Sequence, residues 1–166
     1  RLSGVRTEVT QRGKRREWIE AEQARLEEND GILHFSRLAL QLLEEGTING
    51  AARGDEGTLW LSAREDRGIG RNDIELRSNV VFDTGEGMLL ASPLMRYSSA
   101  QSLLWTDDGF TLQLGGDGRY MIGHGRSFEL KLFVEEGAER HIQWTGPEEA
   151  GEPFRLTAQS EPVIRP

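Results

Sequence analysis

The feature that most constrains this chain is a strict alternation of apolar and charged residues in short segments that end at glycine. In residues 72–97, NDIELRSNVVFDTGEGMLLASPLMRY, the two kinds of residue differ in parity: Ile74, Leu76, Val80 and Phe82 against Asp73, Glu75, Arg77 and Asp83. Successive side chains of a β-strand point to opposite faces, so the pattern predicts a strand with one apolar and one wet face. A turn at Gly85-Glu86-Gly87 leads into a second strand from Met88.

The same pattern recurs along the chain, and many of the 20 glycines mark the turns between segments. Strands are predicted at residues 4–10, 58–63, 74–82, 88–97, 103–114, 119–123, 127–134, 140–144 and 154–158. The segment LGGDGRYM reads as a hairpin with a glycine-rich turn. Strands of this length, spaced by turn residues, are typical of an all-β sandwich or barrel.

Residues 14–43 give two conflicting signals. Their many Ala, Glu, Arg and Gln residues favour a helix by propensity. However, Leu38, Leu40 and Leu42 alternate, and the WIEA of residues 18–21 is echoed by the WLSA of residues 60–63. Because periodicity is a stronger signal than propensity, we predict strands here.

Composition limits the classes of function. A chain of 166 residues is long enough for one domain with a sizeable core, so residues 1–166 are predicted to form a single domain. The net charge is -8, and the single basic run is Lys14-Arg15-Arg16, which argues against a nucleic-acid partner. Cysteine is absent, so the sequence offers neither a disulfide framework nor a thiolate metal site.

No constellation typical of catalysis or metal binding stands out. The histidines His34, His124 and His141 lack paired ligand spacing, and no serine lies in a Gly-x-Ser-x-Gly motif. Carboxylates at residues 27–30 and 107–108 lack the alternating oxygen spacing of a calcium loop. We therefore expect no enzyme activity, no metal and no cofactor.

The order of four segments resembles a known family. WLSAREDRGIGRNDIELRSNV, GMLLASPLMRY, SLLWTDDGFTLQL and YMIGHGRSFEL resemble, in this order, the LptC-type periplasmic lipopolysaccharide-transport proteins, which are related to the OstA-like (LptA) domain. The matching positions are Asn79-Val80, Tyr97, Gly123 and Gly125, and GVRTEVTQRGKRREWIEAEQA is similar to the start of the LptC domain. Ser78 departs from the pattern, because a glycine often precedes Asn-Val there.

The resemblance implies an extended, open, V-shaped β-jellyroll of two antiparallel sheets that hold the acyl chains of lipopolysaccharide between them. It implies a non-enzymatic role that passes lipopolysaccharide from an inner-membrane ABC transporter to an LptA-like periplasmic bridge protein. It also implies a periplasmic location with an N-terminal transmembrane helix upstream of this chain.

Alternation alone does not separate a packed core from a lipid slot, since the inward faces look the same in both. The resemblance favours the slot. The residues predicted to line it are Ile19, Ala21, Leu38, Leu40, Leu61, Leu76, Val80, Phe82, Leu90, Phe110, Leu112, Ile122, Phe128 and Leu130.

The two terminal strands are predicted to offer their edges to protein partners, because unpaired edges either need protection or serve for docking. The edge residues are Val5, Thr7 and Val9 at one end, and Phe154, Leu156 and Ala158 at the other.

Two other functions stay open on the sequence. An all-β carbohydrate-binding module would use the four tryptophans Trp18, Trp60, Trp105 and Trp144 as a stacking surface. A hydrolase would use paired carboxylates for acid–base chemistry.

Overall fold

The computed structural model describes residues 2–44, 47–132, 142–145 and 154–165. Within them the chain forms antiparallel β-sheet and one short 3₁₀ turn, Glu65–Arg67. The strands are β1 (Leu2–Gln11), β2 (Lys14–Glu27), β3 (Ile32–Glu44), β4 (Thr47–Trp60), β5 (Ile74–Asp83), β6 (Met88–Ser98), β7 (Leu103–Thr106), β8 (Phe110–Gly116), β9 (Arg119–Gly125), β10 (Ser127–Lys131), β11 (Ile142–Thr145) and β12 (Leu156–Gln159). The all-β prediction is confirmed.

The disputed segment is strand, as predicted. β2 and β3 pair over most of their length, for example Ile19 with Leu40 and Ala21 with Leu38. These four side chains are buried on one face. Burial of alternate residues therefore overrides the helical propensity of the intervening Glu, Gln and Arg residues.

Some predicted boundaries were wrong. The strand predicted at 103–114 is two strands, β7 and β8, because the chain turns at Asp107-Asp108-Gly109, where Gly109 has a φ of 82°. The strand predicted at 58–63 is the end of the longer β4, which stops at Trp60. The strand predicted at 127–134 ends at Lys131. Residues 133 and 134 of that predicted strand, and residues 140 and 141 of the strand predicted at 140–144, lie outside the described residues.

The sheet divides at β6. Strands β1 to β6 pair in chain order, and the far edge of β6 then serves two partners. Residues 88–91 pair with β8, which leads to β9 and β12, whereas residues 96–98 pair with β7, which leads to β10 and β11.

A line of irregular backbone separates these two branches and crosses every long strand at the same level. The regular pairing skips Gly4, Glu22, Arg37, Asp55, Ser78, Asn79 and Pro93. Arg37, Ser78 and Asn79 have φ values of 49°, 60° and 54°. The register also shifts at this level, between Arg53 and Glu56 of β4 and between Arg77 and Val80 of β5. Such bulges bend a strand sharply, and each long strand contributes its two halves to two different sheets.

Polar contacts follow this corner. The Arg37 guanidinium donates to Glu22 Oε1 at 2.8 Å, and the Asn79 amide donates to Asp55 Oδ2 at 2.6 Å. We call the half with β8, β9 and β12 the first sheet, and the half with β7, β10 and β11 the second sheet. The first sheet contains residues 5–21 and 38–53, and the second contains residues 23–36 and 56–60.

The apolar faces of the two sheets meet in a single cluster, which we call the interior. Phe110 of the first sheet contacts Phe128 of the second edge to face, with ring centroids 5.2 Å apart. The interior consists of Ile19, Ala21, Ala24, Phe35, Leu38, Leu40, Leu42, Ala52, Leu59, Ile74, Leu76, Val80, Phe82, Leu90, Met95, Tyr97, Leu104, Phe110, Leu112, Phe128, Leu130 and Leu132. Each large side chain buried there stabilises the fold by roughly 1.5–3 kcal/mol.

Candidate functional site

The predicted lining residues lie on the interior face of their strands, with two exceptions. The interior contains Ile19, Ala21, Leu38, Leu40, Leu76, Val80, Phe82, Leu90, Phe110, Leu112, Phe128 and Leu130. Their location follows the alternation along each strand. Their contact with lipid stays a prediction.

Two of the predicted lining residues lie elsewhere. Leu61 follows the end of β4 and is 40% exposed, because the chain leaves the sheet after Trp60. Ile122 is buried, but it pairs with Gln113 and not with Leu112. Residues opposite each other in a ladder share a face, so Ile122 points away from the interior.

The interior is packed in this structure. Its side chains are at most 7% exposed. Glycines make room for their neighbours: a Cβ on Gly57 would lie 2.2 Å from Leu38 Cδ2, and one on Gly50 would lie 2.4 Å from the Phe82 ring. The two sheets must therefore separate before a fatty chain can lie between them.

One charged side chain points into the interior, and the sequence prediction missed it. Glu17 has the same parity as Ile19 and Ala21 and is fully buried. Ser99 Oγ donates to Glu17 Oε1 at 2.8 Å, and the Tyr97 hydroxyl also hydrogen-bonds to this carboxylate. Glu17 Oε2 is buried without a hydrogen-bond partner. The sequence signal for this buried charge was a glutamate in line with the alternating apolar residues Ile19 and Ala21.

Glu17 connects the two sheets. It lies on the first-sheet half of β2, whereas Tyr97 lies near the end of β6 in the second sheet and Ser99 directly follows that strand. A second connection joins Asn49 of β4 to the carbonyl of Leu132, at 2.7 Å. Both polar contacts join the two sheets away from the corner.

Burial raises the pKa of Glu17, and the hydrogen bonds from Ser99 and Tyr97 and the nearby Arg16 charge offset part of this effect. Burial also raises the pKa of Tyr97, and the adjacent Glu17 carboxylate adds to the shift. The ionised form of Glu17 is thus disfavoured by the fold.

Glu17→Gln is expected to stabilise the domain increasingly as the pH rises. Because the folded-state pKa lies above the ordinary value of 4.5, the contribution of Glu17 to stability is complete below that value. It is lost as the pH rises through the raised pKa. Urea unfolding should show a gain of about 1–3 kcal/mol for the variant near pH 8 and little gain near pH 4.

The matched control for this prediction is Glu20→Gln, since Glu20 is exposed on the same strand and pairs with Arg6 at 3.2 Å. Its effect should be below about 0.5 kcal/mol at every pH. An equal pH dependence in both variants would contradict the role of Glu17 burial.

Both predicted edge strands lie at sheet ends. Within the described residues β1 pairs with β2 alone, and β12 pairs with β9 alone. Val5, Thr7 and Val9 pair with Ala21, Ile19 and Glu17, so their side chains face the interior. Leu156 and Ala158 are exposed on β12.

Phe154 was wrongly predicted as an edge residue. It precedes β12, packs against the interior and stacks on Phe110 with ring centroids 5.9 Å apart. It also covers Gly123, where a Cβ would lie 2.4 Å from the Phe154 ring. Its large apolar ring gains more from this burial than from exposure at an edge.

The residues considered for chemistry are dispersed. His34 contacts Glu27 at 2.9 Å, and His124 contacts Thr111 at 3.0 Å. Ser92 is buried at the corner, where its Oγ lies 2.7 Å from the Gly109 carbonyl and 3.2 Å from Thr106 Oγ1. The described part of the chain contains no cluster of three potential metal ligands and no helix long and apolar enough to cross a membrane.

Comparison with known proteins gives a structural match. No family model and no curated protein matches the sequence. Among solved structures, the chain is similar to LptH from Pseudomonas aeruginosa, described as the LptA homologous periplasmic component of the conserved lipopolysaccharide transport device. The TM-score is 0.55 at 11% identity, over 90% of this chain and 95% of LptH. The likeness shows that the fold of this chain is the LptA-like β-jellyroll.

Proposed function

We propose that this chain is a non-enzymatic, periplasmic component of lipopolysaccharide transport that holds acyl chains between its two sheets. The observation that supports the proposal is the continuous apolar interior between two sheets joined along one corner, in a fold shared with LptH. In this proposal the chain receives lipopolysaccharide from an inner-membrane ABC transporter and passes it to an LptA-like bridge protein. An N-terminal membrane anchor, as in LptC, belongs to the same proposal.

The energetics suit a carrier. A fatty chain of ~12 carbons gains on the order of 10 kcal/mol when it leaves water, before the costs of binding. In the interior it replaces apolar contacts between the sheets with contacts of the same kind. The net gain is therefore smaller, and lipid can leave for a similar site on the next protein.

The polar connections determine where the sheets open. Entry of an acyl chain from the side opposite the corner separates Glu17 from Ser99, and Asn49 from the Leu132 carbonyl. The corner itself stays joined, because covalent backbone crosses it in every long strand. The domain thus opens as a hinge along the line through Arg37 and Asn79.

Site-specific photocrosslinking tests this proposal. p-Benzoylphenylalanine replaces Phe110 or Phe128, which meet inside the domain, and Trp18, which is half-buried on the outer face of β2. Ultraviolet irradiation in the presence of purified lipopolysaccharide should give a lipid adduct at the two interior positions and little at Trp18. Equal adducts at all three positions, or none at the interior positions, would refute the proposal.

A further inference from the structure

A second candidate site lies on the outer face of the second sheet, away from the interior. It is a groove of about 610 Å³ between the sheet and the loop that follows β4. Two half-buried tryptophans, Trp60 and Trp105, line it together with the polar side chains of Asp73, Arg96, Gln101 and Glu129. Pockets that combine aromatic faces with a few convergent polar groups are typical ligand sites.

The floor of the groove is held firmly. Trp105 of β7 pairs with Arg96 of β6 on one side and with Glu129 of β10 on the other, so the three share the outward face. The Arg96 guanidinium lies 4.9 Å from the Trp105 ring centroid, and its Nε is 2.9 Å from Glu75 Oε2. The cation–π contact and the ion pair fix the indole and neutralise the arginine.

The wall of the groove is held by backbone hydrogen bonds. Asn72 donates its N–H to the Trp60 carbonyl at 2.7 Å, and Trp60 donates its N–H to the Asp73 carbonyl at 3.1 Å. The Asp73 carboxylate accepts the Gly70 N–H through Oδ2 at 2.7 Å. Its other oxygen, Oδ1, is buried without a hydrogen-bond partner.

The polar side chains that line the groove indicate the kind of ligand. The Asp73 carboxylate accepts hydrogen bonds and the Gln101 amide both donates and accepts them, so a ligand with hydroxyl or amide groups fits the groove. Glu75 is paired with both Arg77, at 2.5 Å, and Arg96, at 2.9 Å. Among the other lining residues, the two carboxylates of Asp73 and Glu129 face the cation of Arg67. An anionic ligand such as a phosphate is therefore disfavoured.

We propose that this groove binds a pyranose ring of an uncharged glycan. The apolar C–H face of the sugar stacks on Trp60, a ring hydroxyl donates to the Asp73 carboxylate, and Gln101 supplies a bidentate amide. Sugars need this combination, because each ring has an apolar face and a rim of hydroxyls. The site is separate from the interior and goes beyond the transport role proposed above.

Binding of uncharged disaccharides tests the proposal. The probes are maltose, lactose, cellobiose and N,N′-diacetylchitobiose, each at up to about 50 mM, since one aromatic-lined groove is expected to bind in the millimolar range. Saturation-transfer NMR and tryptophan fluorescence should detect at least one of them. Trp60→Ala, Trp105→Ala and Asp73→Asn should each weaken that binding about tenfold or more.

Two variants keep the result interpretable. Trp18→Ala also removes an indole that is stacked with an arginine, with Arg15 4.8 Å from its ring centroid, but it lies on another strand and outside the groove. It should leave sugar binding unchanged. Trp60→Phe keeps an aromatic face and should retain most of the affinity. A folded protein that binds none of the four disaccharides, or an equal loss in Trp18→Ala, would overturn the proposal.

Binding of a phosphorylated sugar tests the preference of the groove for uncharged ligands. Glucose 6-phosphate should bind more weakly than the best uncharged probe, because the groove carries an excess of carboxylates. Stronger binding of the phosphorylated sugar would overturn the assignment to uncharged glycans. Lipid crosslinking at Phe110 should be unaffected by Trp60→Ala, so a failure of this site and a failure of the transport role are distinguishable.

Discussion

Leu76→Arg is expected to unfold the domain. Leu76 is fully buried in β5, where it pairs with Gly57 of β4 and Met95 of β6. The space over Gly57 is already filled by the side chain of Leu38. A guanidinium there has neither room nor a counter-ion, and an unpaired buried charge costs several kcal/mol. Since a domain of this size has roughly 5–15 kcal/mol of stability, we expect most of it to be lost.

The measurement is urea unfolding followed by circular dichroism, with Leu61→Arg as the matched control. Leu61 is 40% exposed and lies after β4, so the same substitution there should change stability by less than about 0.5 kcal/mol. A folded Leu76→Arg protein of normal stability would mean that the interior holds a water-accessible channel without lipid. The conclusion that the interior is packed would then be wrong.

Alternation was sufficient to predict most of the strands and the face that each one buries. It succeeded even for β2 and β3, where composition favoured helix, because pairing on both edges stabilises a strand whatever the propensity of its outward residues. The buried residues of a strand can be predicted from the alternation along that strand alone, without knowledge of how the strands are arranged. That is why the interior residues on β5 and β8 were predictable from the sequence.

The corner was not predictable in the same way. Left-handed backbone usually signals glycine or asparagine, but Arg37 and Ser78 adopt it here. Ser78 lies in a bulge of β5, and Arg37 lies at an unpaired position of β3. These irregular positions align across neighbouring strands, and the alignment is a property of the pairing and not of any one segment. Without the corner, the sequence does not say that one long strand serves two sheets.

The misplaced residues have specific causes. Ile122 lies on the other face because the ladder between β8 and β9 pairs it with Gln113. Leu61 belongs to the WLSA segment that echoes WIEA, but the chain has left the sheet there and turns through a bridge between Arg64 and Ile69. Glu17 was overlooked because a carboxylate was assumed to face water.

If the proposed transport role holds, a proline in β1 is expected to block docking of the inner-membrane transporter without unfolding the domain. Among the described strands β1 has one neighbour, β2, so its other edge carries backbone N–H and C=O groups that a partner strand can pair with. Along an antiparallel strand these groups point alternately to the neighbour and to the free edge. Thr7 and Glu8 are consecutive, so the N–H of one of them points to the free edge. One of the two variants Thr7→Pro and Glu8→Pro therefore removes an outward N–H.

That variant should bind the inner-membrane transporter about a hundredfold more weakly, which corresponds to about 3 kcal/mol. It should keep its contact with the bridge protein, because β12 lies next to β9 at the opposite end of the first sheet from β1. Leu156→Pro, in β12, should have the opposite effect, and Thr7→Val should affect neither contact. Photocrosslinkers at Glu8 and Arg155 report which partner occupies each edge. The same partner at both positions, or loss of both contacts from one proline, would rule out a relay with two separate docking edges, since each edge must recognise its own strand for lipid to move in one direction.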